Sequence, residues 1–183
     1  MSQLLVTRNP CLNPGDLRLL KGVDRPELRH LYNVVVFSSK GERPTCNKMS
    51  GGDLDGDVYF VCWDQELISH LHVDQMEDPG NYPKPTTVKE KPVSEGLADY
   101  FIWFLERDIL GKICNLHLAL ADTLGRDGPK HKDCLTLAHL QSIAVDFAKH
   151  GEYVPGHIIE KFEKKVNAWP DFFEKNNKEM YES

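Results

Sequence analysis

Residues 50–64 read SGGDLDGDVYFVCWD, and the acidic half of that string decides how the rest is taken. Asp53, Asp55 and Asp57 put three carboxylates within five residues. In extended backbone, positions i, i+2 and i+4 face one side. Like charges held that close repel one another unless a cation lies between them. Gly56 lets the chain turn between the last two, and Gly51-Gly52 clears side chains from the approach. An oxygen-only donor set suits Mg²⁺ or Ca²⁺ rather than zinc. A calcium-binding EF-hand loop starting at Asp53 needs Gly at its sixth position and Glu at its twelfth. Val58 and Asp64 stand there instead, so that reading fails. A plain solvated acidic turn is the bland alternative. The double glycine before it and the apolar run Val58–Trp63 after it weigh against that.

Working outward, residues 1–50 carry 8 basic and 4 acidic side chains, whereas the whole 183-residue chain has a formal charge of -6. That balance excludes a freestanding nucleic-acid binder held on by overall charge. It fits a basic segment beside an acidic loop in a larger machine. The chain is 40% hydrophobic, enough to bury a core. Its five cysteines include no CxxC pair, which excludes a zinc ribbon or disulfide framework and points to a reducing compartment, cytoplasm or nucleus. No run of about 18 uncharged apolar residues is present to cross a membrane, and the N-terminus has too short an apolar stretch for a signal peptide.

The pattern predicts strands at Gln3–Thr7, at Tyr32–Phe37 and over Val58–Trp63, with a short helical turn at Asp16–Leu20. Prolines 79, 83, 85 and 92 mark a linker. Helical stripes follow. The first is Leu97, Tyr100, Phe101, Phe104 and Leu105, capped by Ser94; the second is Ile109, Ile113, Leu116 and Leu120, capped by Asp108. Leu137, Leu140, Ile143, Ala144 and Phe147 make a third, and Ile158, Ile159, Phe162 and Val166 a fourth. The expected organisation is a β-rich segment over 1–74, a linker over 75–93 and a helical region over 94–183. His70-x-His72 lacks a third ligand, and His117 on an apolar helix face reads as a core residue.

DLDGD followed by VYFVCWD resembles the catalytic signature of the cellular RNA-dependent RNA polymerases of RNA silencing. The upstream VTRNPCLNPGDLRLLKGVDRPELRHLYNVVVFSSKGERP is similar to that family's approach to the loop. FLERDILGKICNLHLALAD and LAHLQSIAVDFAKHG resemble the helical motifs that come after it. The likeness runs from about Leu5 to Phe173, with motifs in order; Met49 replaces a common Cys and Ala148 a common Pro. It implies a mixed α and β fold, the β-rich part of a double-psi β-barrel catalytic core followed by a helical region. It also implies that Asp53, Asp55 and Asp57 hold Mg²⁺, or Mn²⁺ in its place, for nucleotidyl transfer. Arg8, Arg43 and Lys149 become candidates for contact with NTP or RNA phosphates. The partners implied are a single-stranded RNA template, NTPs, the remainder of the polymerase chain and RNA-silencing proteins. Because such enzymes are far longer, the chain is expected to be a fragment that does not polymerise RNA alone. The competing expectation is a catalytically incompetent fragment serving as an RNA-binding or assembly module.

Overall fold

The computed structural model describes residues 2–71, 76–82 and 96–173. They fall into two compact units, Met1–Pro83 and Lys84–Ser183. In the first unit, β1 (Gln3–Arg8) is the middle strand of a three-stranded sheet. It is flanked by β2 (Arg18–Lys21) and β3 (Tyr59–Cys62), both antiparallel to it. Leu5, Val6 and Thr7 are consecutive and all buried, as expected of a central strand covered on both faces. The β1–β3 register pairs Arg8 with Tyr59. That register sets Arg8 two residues from the last aspartate of the acidic loop. The short helix α1 (Gln65–Ser69) follows, its N-terminus capped by the Asp64 side chain, which accepts from the Glu66 and Leu67 amides.

Two predicted elements of this unit are corrected. Asp16–Leu20 is not helical: a 3₁₀ turn covers Pro14–Asp16, and Arg18–Lys21 pairs with β1 as a strand. Leu17, Leu19 and Leu20 span too short a stretch to form a helical stripe, and the ladder satisfies the backbone instead. Tyr32–Phe37 is not a strand. Its β-branched residues favour extended backbone, but no described strand pairs with it, and Val34, Val35 and Val36 are exposed.

The second unit is helical: α2 (Leu97–Arg107), α3 (Leu110–Leu124), α4 (Lys132–Val145), α5 (Phe147–His150) and α6 (Gly156–Glu163). Ile113, Leu116 and Leu120 of α3 pack with Cys134 and Leu137 of α4, Val154, and Ile159 and Phe162 of α6. This is the core that the second, third and fourth stripes predict. The α3–α4 turn needs glycine at 128, where a Cβ would lie 2.3 Å from the Ala121 carbonyl oxygen. The stripe predicted for α2 is corrected in rotation. Leu97, Phe101 and Leu105 are exposed, while Tyr100, Trp103 and Phe104 turn inward, with Trp103 and Phe104 packing against Phe147 at ring separations of 4.8 and 5.6 Å. Arg107 completes that face, stacked over Trp103 and Tyr153. Asp108 accepts from the Leu110 amide but is not the expected N-cap, a position that Ile109 holds; Asp108 ends α2 instead, and Ser94 and His72 lie outside the described residues. No helix among the described residues is long and apolar enough to cross a membrane.

Candidate active site

The turn before the acidic loop is built from left-handed backbone: Ser50 has φ +50° and Gly51 φ +69°. Gly52 comes next, where a Cβ would meet the Tyr59 hydroxyl at 2.6 Å, the Cys46 carbonyl at 2.9 Å and an Asp57 carboxylate oxygen at 3.1 Å. Only glycine lets the chain pass that close. The loop then folds onto Asp57. Asp57 Oδ2 accepts from the amides of Asp53 (3.0 Å) and Leu54 (3.1 Å) and, at 3.5 Å, lies within reach of the Tyr59 hydroxyl. The Leu54 amide reaches it from a residue at φ +69°, a cost tolerated because the hydrogen bond fixes it there.

Arg8 closes the other side. Its Nε donates to Asp57 Oδ1 at 2.6 Å and its Nη1 donates to the Ser50 carbonyl at 2.8 Å. The Asp57 side chain is only 2% exposed, so it is not the member of an open loop that its spacing suggests. Asp53 and Asp55 are exposed. Oxygen atoms of all three come within 4.8 Å of one another. Burial first, and then the Asp57 charge, push the Tyr59 phenol well above its usual pKa, so it stays protonated.

These residues fit a hard divalent cation. The donors are all carboxylate oxygens, and Asp57 Oδ1 accepts one charged hydrogen bond and keeps a lone pair for a second partner. Two exposed carboxylates beside one anchored carboxylate leave room for water and phosphate ligands, as magnesium requires.

The other basic candidates stand elsewhere. Arg43 braces a loop: Nε donates to Asn47 Oδ1 (2.7 Å), and Nη2 to the carbonyls of Asn47 (2.9 Å) and Gly80 (2.6 Å). Lys149 belongs to the second unit, on α5, where it pairs with Asp146 at 3.6 Å. Sequence reasoning missed Asp16, Tyr59 and Tyr82. Asp16 is fully buried and bonded to the Ser50 amide, the Gly80 amide and the Tyr82 hydroxyl. One signal was available: Asp16 is the sole acidic residue among positions 1–23.

The fold and site define an arginine-clamped carboxylate cluster at the start of an antiparallel strand, a donor set that could hold a hard cation. Comparison with known proteins narrows the reading. The RNA dependent RNA polymerase family matches over residues 1–183. RNA-dependent RNA polymerase 1 of Arabidopsis thaliana is 42% identical over 98% of this chain, and RNA-dependent RNA polymerase 1 of Schizosaccharomyces pombe 38% identical over 98%. Among solved structures, the RNA dependent RNA polymerase QDE-1 from Thielavia terrestris superposes with a TM-score of 0.66 over 90% of the chain at 24% identity. The chain belongs to the RNA-dependent RNA polymerase family. It spans 16% and 15% of the length of the two curated relatives and 20% of the solved chain.

Proposed function

We propose that this chain supplies the metal-holding segment of an RNA-directed RNA polymerase that copies single-stranded RNA into double-stranded RNA for RNA silencing, in the cytoplasm or nucleus. The observation that carries the reading is the convergence of Asp53, Asp55 and Asp57, with Asp57 clamped by Arg8. Family membership over the whole chain supports it. The three aspartates would hold magnesium, or manganese in its place. Bound there, the metal supplies the Lewis acidity that makes a primer 3′-hydroxyl a better nucleophile and neutralises the departing pyrophosphate. The chain's own residues supply the positioning. Arg8 and the two loop amides fix both oxygens of Asp57, so one ligand is preset before any cation arrives. The protonated Tyr59 phenol adds a donor without adding charge. Asp53 and Asp55 face solvent, the side from which nucleotide phosphates would approach.

The three-stranded sheet is read as one part of a double-psi β-barrel completed by the remainder of the polymerase chain. The 1–74 segment is read as carrying the site and 94–183 as the helical region, while Asp78–Tyr82, which falls in the expected 75–93 linker, packs on Gly15 and Asp16 of the first unit. Lys149 is assigned to the RNA backbone, whereas Arg43, engaged by Asn47 and Gly80, is read as a brace of the loop; NTPs are the second substrate.

The deciding experiment is Asp55→Ala in the full polymerase chain. Its carboxylate is exposed, so the variant should melt like wild type while labelled-NTP incorporation on single-stranded RNA falls by about 10³-fold or more. Incorporation at the wild-type rate would end the assignment of this cluster as the catalytic metal site.

A further inference from the structure

We infer that Asp16, which lies 37 residues before the first aspartate of the loop, is a positioning residue that sets the geometry of the metal site through a single residue, Ser50. This inference rests on the polymerase reading above and deepens it. Asp16 is fully buried and stands outside the cluster of Asp53, Asp55 and Asp57. Its Oδ2 accepts the Ser50 amide at 3.0 Å and the Tyr82 hydroxyl, and its Oδ1 accepts the Gly80 amide at 2.9 Å. These donors replace the hydration that a side chain so far from water has lost.

Ser50 relays the constraint. Its N–H is held by Asp16 and its carbonyl accepts from Arg8 Nη1, while Arg8 Nε holds Asp57. Four residues therefore form one line: Asp16, Ser50, Arg8, Asp57. Ser50 and Gly51 are both left-handed, so the turn depends on outside contacts to hold its shape. Segment 78–82 is pressed onto the same place. Gly15 leaves space for the Asp78 carbonyl, which would lie 1.9 Å from any Cβ there. Asp16 ties that segment to the metal loop, and loss of its charge loosens Arg8 and Asp57 together.

Asp16→Asn is nearly isosteric but turns one acceptor into a donor, which must face either the Gly80 or the Ser50 N–H. In the full polymerase chain, Asp16→Asn should raise the magnesium concentration for half-maximal incorporation on the order of tenfold, with KM for NTP at saturating magnesium little changed. Manganese binding without nucleotide, followed by electron paramagnetic resonance, should weaken by the same factor. A residue that served stability alone would lower the melting temperature and leave both midpoints in place. Unchanged midpoints in folded Asp16→Asn overturn the proposal. If that variant does not fold, Tyr82→Phe decides, because it keeps the carboxylate and removes one hydrogen bond. A rise of about threefold in both midpoints is expected, and no rise overturns the proposal. The manganese titration separates the two readings. Wild-type chain that binds manganese no better than Asp57→Ala refutes the metal site itself. Wild-type and Asp16→Asn chains that bind it equally, with Asp57→Ala binding none, refute the role of Asp16 alone.

Discussion

In the first unit the decisive contacts are polar and span long stretches of chain: Arg8 to Asp57, Asp16 to Ser50, Asp16 to Tyr82. In the second unit they are apolar, between helices adjacent in sequence: Ile113 and Leu116 of α3 against Cys134 and Leu137 of α4. Apolar packing is non-directional, and it tolerates small changes of shape at modest cost. A hydrogen bond to a charge fixes distance and direction at once. On the proposed metal role the acidic loop needs direction, because three carboxylates must meet at one point against their own repulsion. The helical unit needs only to exclude water. Each region is stabilised by the kind of force its task requires.

The largest effect should come from Asp57→Ala, which removes a proposed metal ligand and leaves the Arg8 guanidinium without its partner. Incorporation should fall by about 10³-fold or more. Unlike Asp55→Ala, this variant should also lose about 3 kcal/mol of stability by denaturant titration, since breaking a buried pair strands the other charge. Equal stability of the two alanine variants would erase the distinction between clamped and open carboxylates. Next comes Leu137→Ala, fully buried between α3 and α6 neighbours. It should cost about 3 kcal/mol and leave the magnesium midpoint of the surviving folded enzyme where it was. A shifted midpoint would show that the apolar unit also shapes the site.

A smaller effect concerns alkali. Tyr59 and Tyr82 both titrate above the ordinary phenol value, each chiefly through burial. Below about pH 10 both phenols are protonated in folded and unfolded chains alike. Above it the unfolded chain releases protons first, so stability declines as pH rises. Thermal melts between about pH 8 and 11 should show that decline, and Tyr82→Phe should blunt it; a flat wild-type profile would remove the phenols from the network. Smallest is Lys149→Ala, half-exposed and paired within its own turn. If it contacts the RNA backbone, the RNA concentration needed should rise less than about threefold and the salt slope fall by about one charge. Kinetics identical to wild type at low and high salt would return it to an ordinary surface lysine.

The acidic loop was legible because its signal is local: three like charges in five positions repel one another at a cost that a bound cation removes. The cores of α3, α4 and α6 were legible because burial repeats with the helical period. The rotation of α2 was not. From Tyr100 to Leu105 every side chain is apolar or aromatic, so several faces look alike until Phe147 selects one. The Tyr32–Phe37 segment misleads because β-propensity measures fit to a partner; its backbone pairs with none of the described strands, and only the Phe37 ring meets one, edge-on at Tyr59. Asp16 was illegible on different physical grounds. One acid among apolar neighbours has no period, and its donors arrive from 34, 64 and 66 residues away.

That last separation has a consequence for the order in which the chain is made. A ribosome releases residues 8 and 16 first, then the acidic loop, and only later Gly80 and Tyr82. Synthesis runs at about 5–20 residues per second, so the DLDGD loop is outside the ribosome for on the order of seconds before two of the three described donors to Asp16 exist. Closing a loop of this length also carries an entropic cost of about 4 kcal/mol. The nascent chain therefore displays its three aspartates before it can aim them.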